Sequence, residues 1–268
     1  LGIETTLIEM LDRLVAPLDA DAARAISRSL QKRGVKVLTG SRIASVTPTA
    51  AGVSARLESG QRVEAARALL AVGRVANIDD LGLEALGVEM DGGIIRVDDR
   101  CRTNVPNLYA IGDVAERRQY AHLASRMGII AADNATGHDT SDRRDVVPVG
   151  VYTHPEVAAV GLSEAQAREE CPNLKVARFP YLASGMAQAY GETEGGVKIY
   201  ADGETGRILG AILIGRHATD VIQEVAVAMR NGLTIEQIAG TIHPHPTFAE
   251  AVGEAAEAWL GLPLHTMK

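Results

Sequence analysis

The chain has 268 residues, 46% of them hydrophobic, with 27 Lys and Arg against 34 Asp and Glu for a net charge of −7. That length allows more than one core. The acidic balance argues against a dedicated nucleic-acid binder, which carries a basic patch, and no apolar run reaches the roughly 20 residues of a membrane-spanning helix. The longest apolar stretch, "ILGAILIG" at 208–215, is strand-length. The opening residues show no signal-peptide pattern. Two isolated cysteines, Cys101 and Cys171, match no metal or C-x-x-C spacing. They suit structural thiols in a reducing, cytoplasmic compartment.

"TTLIE" at 5–9 reads as a buried parallel strand ending in an acid. Residues 19–34 read as a helix: Ala23, Ile26 and Leu30 share one face, acids come early, and Lys32 and Arg33 precede Gly34. "VKVL" at 35–38 completes a β-α-β unit. From residue 43 to 72 the pattern changes to short antiparallel strands, returning to a buried strand at 68–72. "NLYAIGD" at 107–113 reads as a short apolar strand, followed by a helix over 121–136. The character changes again near Asp145. Beyond it come sheet at 150–161, a Ser163–Gln166 capping box, a hairpin turning at 202–206, and a helix with Ala218, Val221, Ile222, Val225, Ala226 and Met229 on one stripe. In the final helix, after Thr247, Phe248, Val252, Ala255, Trp259 and Leu260 form the apolar side, with Glu254 and Glu257 off it.

Three places could carry chemistry. Glu9 ends a strand, where an acid can accept hydrogen bonds from a dinucleotide's ribose hydroxyls. Taken alone it is a solvated acid, and the glycine loop expected about 20 residues earlier would precede Leu1. "TNVPNLYAIGDV" at 103–114 sets Gly112 and Asp113 at a strand end, where backbone can approach a ligand closely. "IHPHPTFAE" at 242–250 supports two readings. Thr247 and Glu250 make a helix capping box, with the histidines as loop residues. Alternatively His245 is a general base whose ring Glu250 holds. Position alone favours the cap, and a His-x-His metal site has no third ligand nearby.

These strings resemble a known family. "RTNVPNLYAIGDV" is similar to the second FAD-binding fingerprint of the pyridine nucleotide–disulfide oxidoreductases, and "HPHPTFAE" resembles the H-x-H-P-T-x-x-E signature of their dihydrolipoamide dehydrogenase (E3) branch. "TTLIEMLDRLVAPLDAD", "AVGRVAN", "VYTHPEVAAVGLSEAQA", "FPYLASGMAQA" and "GVKIYADGETGRILGAILIG" follow that branch in order, across essentially the whole chain. The resemblance implies an α/β and α+β chain. An incomplete Rossmann-like NAD/FAD-binding portion is followed by an α+β dimerisation domain with an antiparallel sheet. Residues 1–73 would be the remainder of the NAD-binding domain, 74–144 the end of the FAD-binding domain and 145–268 the interface domain.

By the same resemblance His245 is the catalytic base and Glu250 its partner. Gly112, Asp113, Ala121 and His122 contact FAD; Glu9, Ile43, Ala71, Val72, Gly73 and Arg74 contact NAD. The implied partners are a second copy, forming a homodimer, and the lipoyl domain of a 2-oxo acid dehydrogenase complex. Glutathione reductase fits less well, because no basic residues directly follow Glu9; mercuric reductase lacks a match because "GLPLHTMK" has no cysteine pair. Leu123 and Ala76 depart from the branch's usual lysine and proline. The family's G-x-G-x-x-G loops and C-x-x-x-x-C redox disulfide do not occur in these residues. The expectation is therefore a C-terminal portion, alone inactive, that dimerises.

Overall fold

A computed structural model describes residues 2–142 and 144–266. The chain forms two compact units, one from the described residues of Leu1–Leu69 and Pro148–Lys268, the other from Leu70–Val147.

The first unit opens with β1 (Thr6–Ile8), α1 (Ala20–Lys32) and β2 (Lys36–Leu38). β1 and β2 pair in parallel, Leu7 opposite Val37, so the β-α-β reading holds, although β1 is half-buried rather than buried. α1 buries Ala22, Ala23, Ile26 and Ser29, positions spaced at the helical period. A three-stranded antiparallel sheet follows, made of β3 (Ile43–Thr49), β4 (Gly52–Leu57) and β5 (Arg62–Ala65) in that order.

The strand expected at 68–72 does not form. Leu69 and Val75 are each 91% exposed, and the backbone from 66 to 78 is irregular. β-Branched and apolar residues make a strand only where a neighbour takes up their backbone groups, and β1 pairs only with β2 among the described residues.

The second unit holds a small hairpin of β6 (Met90–Asp91) and β7 (Ile94–Ile95), then α2 (Ala121–Ala135). Its core gathers Val88, Ile95, Cys101, Ala110, Leu123, Met127 and Ile130. The strand expected at 107–113 shrinks to a single bridge, Tyr109 to Arg102, and Gly112–Val114 turn as one 3-10 segment. Within the string Ala110 and Gly112 are buried while Ile111 is 40% exposed, and Ala110 shares a core with α2 instead of pairing in a sheet.

At Pro148 the chain re-enters the first unit. β8 (Val149–Val151), β9 (Val157–Gly161), β10 (Leu174–Pro180), β11 (Gly196–Asp202) and β12 (Ile208–Ile214) form an antiparallel sheet in the order β10-β11-β12-β9-β8. Central β12 is buried at every residue, which is why its sequence reads as a continuous apolar run. The β11–β12 turn is set by Asp202, whose Oδ1 accepts from the Glu204 and Thr205 amides at 2.9 Å each. Those two backbone donors hold the Asp202 carboxyl down at about 2.

Between the strands lie α3 (Glu164–Glu170), whose predicted Ser163–Gln166 capping box is present, and α4 (Gly185–Tyr190). α5 (Ala218–Arg230), α6 (Ile235–Ala239) and α7 (Glu250–Leu260) follow. α5 runs against β9 and β12, and α7 against β10 and β11. α1 packs on the same sheet: Ala22 and Ile26, with Leu14 from the segment before the helix, cluster with Val157, Tyr200, Leu209 and Ile212. Polar contacts reinforce this. Tyr200 donates its hydroxyl to Asp19, and Lys198 Nζ lies 2.5 Å from both Asp21 and Glu164. Contrary to expectation, Glu254 of α7 is buried at 9% exposure. His265 accounts for this, giving it a ring contact and a backbone N–H bond of 3.4 Å. Leu260, expected on the apolar side, is 39% exposed.

Candidate active site at the start of the last helix

Residues 244–250 close on themselves. Thr247 Oγ1 donates to the Pro244 carbonyl (2.8 Å) and accepts from the Glu250 amide (3.3 Å). Glu250 Oε2 accepts from the Thr247 amide at 2.6 Å. These are the reciprocal bonds of a capping box, although the regular helix begins only at Glu250. The His245–Pro246 peptide bond is cis, as is His154–Pro155. Behind the loop, Phe248 packs against Tyr181, Tyr190 and His217 with ring centroids 5.4–5.8 Å apart.

The other carboxylate oxygen of Glu250 meets His245. Oε1 lies 2.7 Å from Nδ1. A carboxylate only accepts, so in the neutral ring Nδ1 carries the proton and Nε2 keeps its lone pair. The His245 side chain is 72% exposed, whereas Glu250 is 24% exposed. A shielded acid therefore orients an accessible base, the geometry general-base chemistry requires. The cap and the histidine–carboxylate contact are both present, one oxygen each.

His243 is arranged differently. Its Nε2 is 2.8 Å from Glu224 Oε1 of α5, and its Nδ1 is 3.0 Å from the Thr241 carbonyl. The Glu224 hydrogen bond raises its pKa above the ordinary histidine value, with burial opposing the rise. Neither Glu224, 19 residues away in sequence, nor His265 on Glu254 could be read from local spacing.

In the second unit, Gly112 is buried with φ +67°. A Cβ there would lie 3.2 Å from Ala124 Cβ, so a larger residue meets both strain and crowding. Asp113 lies beside it, 3.6 Å from Arg74, which brings together two residues expected to face different cofactors. Ala121 opens α2, where Tyr120 makes no side-chain cap hydrogen bond. His122 stacks on Tyr120 at 5.3 Å. A close-approach glycine beside an acceptor fits a ligand carrying hydroxyls. Ala71, Val72 and Gly73 lie on the irregular exposed segment.

In the first unit, Glu9 follows β1 and accepts from the Leu11 amide at 2.8 Å. Ile43 opens β3 and is 40% exposed. An accessible acid at the end of a parallel strand fits a ribose diol. Among the described residues no cluster of His, Cys, Asp or Glu could hold a metal, and no helix is long and apolar enough to cross a membrane.

A parallel β-α-β unit, an antiparallel sheet with flanking helices and a histidine–carboxylate pair at a capped helix start are an α/β and α+β scaffold of the disulfide-oxidoreductase class. The chain belongs to the pyridine nucleotide–disulphide oxidoreductase family: residues 1–128 match its oxidoreductase domain and residues 147–256 its dimerisation domain. Among curated relatives it is 40% identical to a dihydrolipoyl dehydrogenase of Bacillus subtilis, over 100% of this chain and 58% of that protein. It is 38% identical to one of Geobacillus stearothermophilus, over 98% and 57%. Among solved structures, LpdA from Mycobacterium tuberculosis aligns with a TM-score of 0.89 and 32% identity, covering 96% of this chain and 56% of that one. The HOCl-induced flavoprotein disulfide reductase RclA from Escherichia coli aligns at 0.87 and 26%, covering 96% and 59%. The chain thus spans somewhat under three fifths of the length of the proteins it matches.

Proposed function

We propose that this chain carries the acid–base dyad and part of the cofactor contacts of an NAD-dependent dihydrolipoamide dehydrogenase. The reaction converts dihydrolipoamide and NAD+ to lipoamide, NADH and a proton. FAD, when bound, supplies the redox relay between a redox disulfide and NAD. The carrying observation is the 2.7 Å bond from His245 Nδ1 to Glu250, which leaves Nε2 accessible. His245 Nε2 takes the proton of a substrate thiol, and the resulting thiolate attacks the disulfide. Glu250 holds the imidazole in the accepting tautomer and favours the imidazolium that forms.

On this reading, residues 1–73, 74–144 and 145–268 are the NAD, FAD and interface portions. Gly112, Asp113, Ala121 and His122 meet the flavin; Glu9, Ile43 and 71–74 meet NAD. The substrate is the lipoyl domain of a 2-oxo acid dehydrogenase complex, in the cytoplasm. The test is His245→Gln in a protein that contains these residues together with the disulfide. Dihydrolipoamide oxidation should fall by about 10²–10⁴-fold, the usual contribution of a positioned base; an unchanged rate defeats the assignment.

A second reading concerns the 268 residues by themselves. They hold no C-x-x-x-x-C pair, and Cys101 and Cys171 are buried, unpaired thiols. Alone, the chain acts as a dimerisation and ligand-contact module without the oxidoreductase activity.

A further inference from the structure

His243 stands outside the proton-transfer pair, yet it is the better held of the two histidines. Its side chain is 10% exposed, against 72% for His245. Both of its ring nitrogens face groups that only accept, the Thr241 carbonyl and the Glu224 carboxylate. Satisfying both requires two N–H groups, which is the imidazolium form. The ring also lies against α7, where a Cβ on Gly253 would come within 2.7 Å of Nδ1 and 2.8 Å of Cε1. Glu224 of α5 and Glu250 of α7 are the charged groups acting on it, both favouring the cation; α6 contributes the neutral Gln237 to the same groove of about 520 Å³. The chain from this anchor to the dyad is a single residue, Pro244, whose φ is fixed. Its carbonyl is tied in turn to Thr247.

We propose that His243, clamped between Thr241 and Glu224 against Gly253, is the positioning residue for His245. It fixes the entry to the loop so that the His245 ring meets Glu250. The inference rests on the acid–base reading of His245 and adds a second histidine with a different duty. His243 donates two hydrogen bonds and transfers no proton to substrate.

The experiment is long-range 1H–15N correlation of the full chain labelled at histidine nitrogens, followed from neutral to alkaline pH. His243 should show two protonated nitrogens at neutral pH and titrate above free histidine. His245 should show Nδ1–H with an unprotonated Nε2. As His243 loses its proton one clamp bond must break, so the Nδ1–H bias of His245 should fall with the same midpoint. Glu224→Gln should make His243 neutral at neutral pH and reduce the His245 bias throughout. A His243 that is neutral in the wild type, or a biased His245 that ignores the His243 titration, overturns the inference and leaves the acid–base reading standing. A wild-type His245 without Nδ1–H bias overturns that reading and the inference with it. The wild-type titration is decisive even if Glu224→Gln fails to fold.

Discussion

Glu250 divides its two oxygens between a backbone amide and an imidazole, and that division explains why the local sequence supported two readings. Thr-x-x-Glu specifies the cap whatever precedes it. Only the three-dimensional direction of the His245 ring shows that the second oxygen is used as well. Gly253 is a residue whose importance the sequence hides, because a glycine inside a helix ordinarily weakens it. Replacing it with alanine should improve helix propensity by about 1 kcal/mol. The new methyl, however, would contact a His243 ring held on two sides. Overpacking of this kind costs about 1–3 kcal/mol, so Gly253→Ala should lower the urea midpoint. The loss should shrink in a His243→Ala background, and equal losses in both would show that the ring is not what the methyl meets.

At the scale of elements, sequence pattern located α1, α2, α5, the three-stranded sheet and the β11–β12 hairpin, the helices by the face they bury and the strands by short apolar runs between turns. It failed at 68–72 and 107–113, where apolar composition is ambiguous about the partner. One segment is exposed, and the other packs on a helix. It also passed over α6, although Thr234 and Gln237 carry the T-x-x-Q spacing and Gln237 accepts from the Thr234 amide at 2.8 Å. Contacts between distant elements were not legible. Lys198 of β11 is 12% exposed and bridges Asp21 of α1 and Glu164 of α3. Burial raises both carboxyl pKa values, but the Lys198 bond and charge, with neighbouring arginines, leave each lowered overall. Groups with lowered pKa stabilise the fold fully above their unfolded values of 3.8 and 4.5. That stability is lost as pH falls through the lower folded values. Lys198→Met should weaken this acid dependence, leaving the part due to the neighbouring arginines. At neutral pH it should cost toward the lower end of the about 3–5 kcal/mol seen when a buried pair is broken, read by urea unfolding at pH 7 and pH 4.

For the whole molecule, the family assignment was legible because it rests on short, ordered strings spread along the chain. Which elements share a core was not, since that depends on contacts across most of its length. The match of residues 147–256 to a dimerisation domain leads to a direct expectation. Sedimentation of the purified chain at micromolar concentration should show a dimer, and the protein should be colourless and inactive toward dihydrolipoamide. A monomer counts against the interface assignment, and a yellow, active preparation defeats the module reading.

The joining of α1 to the C-terminal sheet also has a consequence in time. Asp19 finds Tyr200 at a sequence separation of 181. Synthesis at about 5–20 residues per second leaves the Ala22–Ile26 face of α1 without its final cover for on the order of 10–40 s after it emerges. Contacts of such separation also slow folding in a finished chain. The first unit therefore closes last, after the segment inserted within it has been made. Its earliest helix is the part most in need of protection while the ribosome is still at work.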